Sequence, residues 1–323
     1  MKRVLKIGGL ILGALVAAFG LFLLYVVVAF PDAGEPLDLK VATDDAKLLE
    51  RGRYLTEAVS VCTTCHSDRD YSAWGGPIIE ATRGAGGQTW SEEQGLPATL
   101  HASNITPKGL EGYTDGTLAH AITSGITKSG RVMFPLMPYP MYRAMCREDL
   151  EAMVAYLRSL APIDRTVPES SVNFPVSVFI RMAPKPYESP PCPDGKDEVA
   201  LGRYLATIGA CEGCHTPKGA GGPDTDWAYA GGDTFKEKGF TVRAANITPH
   251  PTTGIGNWDR QRFIDSFKRH LNTRVPVAGG EPNTVMPWAA YARMTERDLG
   301  AMFAYLKSLA PRERAVERFP KGE

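Results

Sequence analysis

Neither sign of charge prevails in this sequence: 36 lysines and arginines are matched by 36 aspartates and glutamates over 323 residues. A balanced chain offers no broad basic surface, so nucleic acid is not an expected partner. Cysteine is scarce. Six in a chain of this length cannot make a disulfide scaffold, so their spacing carries more information than their number. Convincing period-two alternation is missing too, which argues against a sheet-based core. Glycine (33) and proline (25) are plentiful, pointing to long loops around a modest helical core, and the length allows two ordinary domains.

At the N-terminus, Lys2, Arg3 and Lys6 precede an uncharged, mostly apolar run from Ile7 to Phe30. At ~1.5 Å per residue its 24 positions span about 36 Å as a helix, enough to cross a bilayer with some tilt. A cleaved signal peptide has a shorter apolar region of about 7–15 residues and a small-x-small cleavage site. This run is longer and ends "VVVAFPDAG", with Phe30 and Pro31 where small residues are wanted. The expectation is an uncleaved, single-pass inner-membrane anchor over residues 1–31. Its basic end is cytoplasmic and everything after Pro31 is periplasmic.

The remainder is self-similar. "GRYLTEAVSVCTTCH" (52–66) returns as "GRYLATIGACEGCH" (202–215), and "SNITP" (103–107) as "ANITP" (245–249). "MPYPMYRAMCREDLEAMVAYLRSLAP" (137–162) returns as "MPWAAYARMTERDLGAMFAYLKSLAP" (286–311). The offset is 149 at the Cys-Cys-His and Met-Pro motifs but 142 at Asn-Ile-Thr-Pro, so the copies differ by compensating loop insertions. This reads as two tandem domains, 37–162 and 196–323, joined by a proline-rich connector, 163–195, draped in extended form over a domain surface.

Three helices are expected in each copy: Leu48–Ala58 and Glu198–Thr207, Asp115–Ser124 and Asp259–Leu271, Arg147–Leu160 and Glu296–Leu309. The last pair is strongest, with Leu150, Met153, Val154, Leu157 and Leu299, Met302, Phe303, Leu306 at helical spacing and Pro162 and Pro311 as stops. The fold class that follows is all-α.

Cys62-Thr-Thr-Cys65-His66 and Cys211-Glu-Gly-Cys214-His215 carry the chemistry. Cys-x-x-Cys-His is the attachment sequence of c-type haem: two thiols one helical turn apart form thioethers, and the adjacent histidine ligates iron. A chance match in this composition has an expectation of roughly 0.002. Zinc would need both pairs to converge on one ion, and a thioredoxin-like dithiol would need a βαβ context. Two covalently bound haem c groups are therefore expected.

With "CHTP" (214–217), "NITP…TGIGNW" (246–258), "MPYPMY" (137–142) and "DLEAMVAYLRSL" (149–160), the chain resembles the class I cytochrome c superfamily over residues 48–312. More closely, it resembles the membrane-bound multihaem cytochrome c subunits of bacterial alcohol, aldehyde or gluconate dehydrogenases. Those subunits have three haem motifs and a C-terminal anchor, against two motifs and an N-terminal anchor here. The resemblance implies a second axial ligand on each iron. Four methionines fall at 133, 137, 141 and 145. Adding 149 takes Met133 to Pro282 and Met141 to Ala290, so only Met137/Met286 and Met145/Met294 are shared. Met145 and Met294 stand just before a helix start, where a hydrophobic staple packs. Met137 and Met286 precede proline in an extended segment, the usual setting for the sulfur ligand in such proteins. The iron ligands expected are His66 and Met137, His215 and Met286.

His101, His120, His250 and His270 have no counterparts and read as solvated or locally hydrogen-bonded surface. Arg53/Arg203, Tyr54/Tyr204, Asn104/Asn246 and Tyr113/Trp258 are candidates for the haem pocket, and the Pro77 carbonyl for orienting a proximal histidine. Cys146 and Cys192 are left for a disulfide in an oxidising compartment. The function expected is electron transfer between a dehydrogenase or quinol-oxidising complex and a terminal oxidase or mobile carrier, as a subunit of a larger assembly. The alternative is a di-haem peroxidase, which needs one iron with an open site.

Overall fold

The computed structural model describes residues 1–219, 222–237 and 239–320. Helix α1 (Lys2–Ala29) stands apart, its side chains mostly exposed and only Val26 fully buried. Its 28 residues are long and apolar enough to cross a membrane.

Two equivalent sets of helices form the core. The first is α2 (Ala46–Tyr54), which continues into a π-helical turn (Leu55–Val59), then α3 (Cys62–Cys65), α4 (Asp115–Ser124), one-turn α5 (Tyr139–Tyr142) and α6 (Arg147–Ser159). After α7 (Val176–Phe179) in the connector, the second is α8 (Glu198–Ile208), α9 (Cys211–His215), α10 (Arg260–Lys268), one-turn α11 (Trp288–Tyr291) and α12 (Glu296–Ser308). The helices read from the sequence are all present, within a few residues of their expected ends.

Their starts are chemically marked. Asp45 accepts from the Lys47 and Leu48 amides, Thr114 from Thr117, Asp197 from Ala200 and Thr295 from Asp298. In each set the first and last helices cross at a glycine. A Cβ on Gly52 would lie 1.9 Å from the Ala152 carbonyl oxygen, and one on Gly202 lies 1.9 Å from that of Ala301. That approach lets Leu55, Leu150, Met153 and Leu157 of the first set and Leu205, Leu299, Met302 and Leu306 of the second pack into one continuous core, all buried. Each such side chain contributes about 1.5–3 kcal/mol.

The π-helical turn has a cause in the sequence. Seven residues separate Tyr54 from Cys62, but six separate Tyr204 from Cys211. The extra residue is absorbed by widening one turn, whereas α8 stays regular to Ile208.

The two sets lock together reciprocally. Tyr54 donates to Asp298 Oδ2 (2.5 Å) and accepts from the Thr295 amide (3.1 Å). Tyr204 donates to Asp149 Oδ2 (2.6 Å) and accepts from the Cys146 amide (3.4 Å). Each first helix thus caps the last helix of the other half. This corrects the expectation that Tyr54 and Tyr204 serve a haem pocket: their hydroxyls bond across the two halves.

Strands are present, against expectation, but short. β1 (Thr89–Trp90), β2 (Ala98–His101) and β3 (Ser171–Val172) form one antiparallel sheet in that order. β4 (Lys218–Gly219) pairs with β5 (Gly222–Pro223), and β6 (Thr234–Glu237) with β7 (Phe240–Arg243). Runs of two to four residues are too short to display a period. The helices carry the core and the strands tie down loops.

The connector is not simply extended. Its β3 adds to β2, and then α7 and a 3-10 turn (Ile180–Met182) pack on α1, with the Phe179 and Phe22 rings 6.3 Å apart. Its end is fastened by a disulfide between Cys146 and Cys192, whose Cα atoms are 5.0 Å apart.

Candidate functional site

Immediately before each Cys-x-x-Cys-His motif the backbone is left-handed, at Val61 (φ 45°, ψ 35°) and Ala210 (φ 54°, ψ 29°). A β-branched valine disfavours that conformation, so the same outlier at both equivalent positions marks a site rather than a chance turn. It reverses the chain and starts a new short helix carrying both cysteines, with the His66 amide donating to the Cys62 carbonyl at 3.0 Å.

The histidines are held alike. His66 Nδ1 lies 2.6 Å from the Ser103 carbonyl oxygen, and His215 Nδ1 2.7 Å from that of Ala245. A carbonyl only accepts, so Nδ1 carries the proton and Nε2 presents a bare lone pair. Burial lowers the basicity of both imidazoles, opposed by that hydrogen bond, so each is neutral and ready to ligate. The orienting carbonyl is therefore not that of Pro77, which accepts from the Asp70 amide at 2.9 Å. It precedes each Asn-Ile-Thr-Pro motif, a repeat that the sequence displayed without revealing its use. The next turn is fixed by glycine: the Gly86 and Gly231 amides donate to the His66 and His215 carbonyls at 2.8 and 2.7 Å. Both have positive φ, and a Cβ on Gly86 would meet the Ala102 carbonyl at 2.4 Å.

Asn104 and Asn246 hold that loop rather than a ligand. Asn104 Oδ1 accepts from the Thr106 amide and hydroxyl (2.9 and 2.7 Å), while its Nδ2 donates to the Ile163 carbonyl (2.8 Å). Asn246 repeats this with Thr248 and the Arg312 carbonyl. Arg53 and Arg203 are exposed, and Tyr113 and Trp258 lie under Lys128 and Arg262.

Cys65 and Cys214 are exposed, yet burial pushes the Cys65 thiol up and that of Cys214 to about 11. Cys62 and Cys211 are pushed up to about 12, again by burial. Two thiols one helical turn apart, each beside the other in its motif, are placed for attachment to one group.

Met137 and Met286 are half-buried against the core. Met137 closes a turn, its amide donating to the Phe134 carbonyl at 3.2 Å, and the Met286 amide donates to Thr284 Oγ1 at 3.1 Å. The segment is thus turned, not extended, because Pro135 and Pro138 favour a turn here. Met145 and Met294 are fully buried just before the caps of α6 and α12, as a staple requires. Met141 lies in α5 and faces the other half: a Cβ on Gly213 would come 3.0 Å from its Cε. Met133 is half-buried, and its amide donates to the Gly125 carbonyl.

Two residues past Met137 and Met286 stand Tyr139 and Trp288. The Tyr139 hydroxyl and the Trp288 indole N–H are buried without a hydrogen-bond partner among the described residues. Equivalent orphaned donors are where an acidic group on a bound molecule is wanted. With the Cys-x-x-Cys-His donors and the bare Nε2 atoms, they fit haem c.

Sequence reasoning missed one cluster. Glu57, 6 % exposed in the π-helical turn, pairs with Arg83 (2.5 Å) and Arg293 (3.2 Å) and accepts from the Tyr156 hydroxyl. It lines a cavity of about 70 Å³ between the halves, shared with Thr64 and Ala290. Nothing in a one-dimensional pattern brings residue 57 to residue 293. Three of the remaining histidines have local partners, His101 with Thr89, His250 with Thr253 and His270 against the Trp288 ring, whereas His120 is buried in α4 and not at the surface expected of it.

Residues 199–310 match the model of the cytochrome c family. The chain is 28% identical over 310 residues to the cytochrome c subunit of the quinone-dependent alcohol dehydrogenase of Gluconacetobacter polyoxogenes, covering 91% of this chain and 60% of that one. It is 27% identical over 303 residues to the gluconate 2-dehydrogenase cytochrome c subunit of Pantoea cypripedii, covering 88% of this chain and 65% of that one. It is also 27% identical over 256 residues to a dihaem c-type cytochrome of Cereibacter sphaeroides, covering 76% of this chain and 81% of that one. The chain spans about 60% of the length of the first of these relatives.

Proposed function

We propose that this chain, whose residues 199–310 are a cytochrome c domain, holds a second such domain in its first half and works as a membrane-anchored di-haem electron carrier. The observation that carries the reading is the recurrence, at both Cys-x-x-Cys-His motifs, of a histidine with Nδ1 pinned to a backbone carbonyl and Nε2 bare. Haem c, when bound, supplies one-electron oxidation and reduction without chemistry on a substrate. Cys62, Cys65, Cys211 and Cys214 would attach it. His66 and Met137 would ligate one iron, His215 and Met286 the other. The Tyr139 and Trp288 donors would meet its carboxylates. Methionine ligation raises the potential of the centre, which suits accepting electrons from a dehydrogenase or quinol-oxidising complex. Delivery would be to a terminal oxidase or mobile carrier. Lys2, Arg3 and Lys6 would keep the start of α1 cytoplasmic and place both haem domains in the periplasm.

The test is spectroscopic. The purified protein is expected to contain two haem c per chain. Met137→Ala should leave both haems attached and remove one of two sulfur-to-iron charge-transfer bands; Met286→Ala should remove the other. Met145→Ala and Met294→Ala should keep both bands while costing about 2–5 kcal/mol of stability. Loss of a band in Met133→Ala or Met141→Ala, with Met137→Ala unchanged, would overturn the assignment. Rapid carbon monoxide binding by the reduced protein would instead indicate an open iron and a peroxidase-like role.

A further inference from the structure

We infer that residues 174–182 of the connector form a second lipid-contacting surface, immersed in the periplasmic leaflet beside the end of α1. The inference rests on the proposal that α1 spans the membrane. The segment reads Phe-Pro-Val-Ser-Val-Phe-Ile-Arg-Met, with no acidic residue. Phe174 is 68% exposed and Met182 39%, although both are large and apolar. The position of the segment along α1 says what covers them. Phe179 packs on Phe22, with ring centroids 6.3 Å apart. Val26 is buried on a helix that is otherwise mostly exposed.

Phe22 lies eight residues before Phe30, about 12 Å along the helix. An apolar run of about 36 Å exceeds a hydrocarbon layer of about 30 Å by some 3 Å at each end. Phe22, and the ring stacked on it, therefore sit about 9 Å below the hydrocarbon boundary, a depth that interfacial helices reach. The polar groups of the segment point the same way. Arg181 donates to the Val27 and Phe30 carbonyls, and the Lys185 ammonium lies 5.7 Å from the Phe30 ring centroid. Cations thus gather where the apolar run ends, at the level of lipid phosphates, with Tyr25 against Phe30 as an interfacial aromatic. Apolar residues below and cations at the rim match one occupant, a phospholipid leaflet continuous with that around α1.

The full-length holoprotein in phospholipid nanodiscs provides the test. With four cysteines in thioethers and two in the disulfide, an introduced cysteine is the single site for a nitroxide label. Phe174→Cys and Met182→Cys, read by electron paramagnetic resonance, should collide severalfold more with oxygen than with a water-soluble nickel chelate. Val16→Cys, in the middle of α1, should behave alike, and Lys108→Cys, on the aqueous surface, in reverse. Labels at 174 and 182 as open to the nickel chelate as that at 108, while 16 remains shielded, would overturn this inference alone. An aqueous label at 16 would overturn the anchor proposal and this inference with it.

Discussion

Replacing Gly52 by alanine sets two effects of opposite sign against each other. In an exposed helix the change stabilises by about 0.5–1 kcal/mol, because glycine loses more backbone freedom on folding. Here the added Cβ would fall 1.9 Å from the Ala152 carbonyl oxygen, 2.6 Å from its carbon and 2.7 Å from Tyr156 Cβ. An ordinary C···O contact needs about 3.3 Å, so α2 and α6 must part by roughly 1.4 Å. A gap of even 0.5–1 Å forfeits about a quarter to a half of each dispersion contact across the interface. The obstacle is backbone on both sides, so no rotamer change relieves it. We expect a net loss of at least about 3 kcal/mol, or a drop of about 6–12 °C in melting temperature. Gly202→Ala should cost the same through α8 and α12, where the contact to the Ala301 oxygen is also 1.9 Å. Denaturant unfolding of the purified holoprotein measures both. An increase in stability, as helix propensity alone demands, would refute the packing argument.

Three further outcomes are expected. The denatured protein should show no free thiol until reduced and two afterwards, and reduction should lower stability by up to ~4 kcal/mol, because the Cys146–Cys192 bridge closes a 46-residue separation. Tyr204→Phe should cost about 1–2 kcal/mol, since Asp149 keeps Arg51 but the Cys146 amide loses its acceptor; a double mutant with Tyr54→Phe that adds no further loss would refute the reciprocal capping. Burial lowers the basicity of His120 from the ordinary 6.5, so below that pH the unfolded chain takes up the proton first and stability falls. His120→Asn should therefore lose less melting temperature than the parent between about pH 7.5 and about pH 5.5.

The helices were legible because their signals are local. Asp115–Ser124 has a threonine cap, a run of residues compatible with helix and a closing glycine, and the structure keeps those bounds. The Leu150–Leu157 stripe announced its buried face through spacing alone. The two Cys-x-x-Cys-His motifs were legible for the same reason, being five consecutive residues. What escaped depends on distance in the chain. The carbonyls of Ser103 and Ala245 reach histidines 37 and 30 residues away, and backbone atoms leave no trace in side-chain identity. The Tyr54–Asp298 and Tyr204–Asp149 bonds cross halves 244 and 55 residues apart in sequence. Reading those tyrosines within their own copy sent them to the wrong partner. The strands were too brief to have a period, and the connector's helix declares itself only through what it touches.

The contact of Met141 with Gly213 has a consequence for pairing. By the 149-residue offset, Gly213 is the counterpart of Thr64 and Ala290 that of Met141. One contact between the halves is therefore large against small, while its mate sets alanine near threonine and leaves the cavity beside Glu57. Two first halves brought together in the same arrangement would drive a methionine into a threonine at both contacts. Two second halves would oppose alanine to glycine and leave a hole at each. Only the unlike pair seats the bump in its hollow. The choice of partner is in this way written in side-chain volume and reinforced by the tether between the halves.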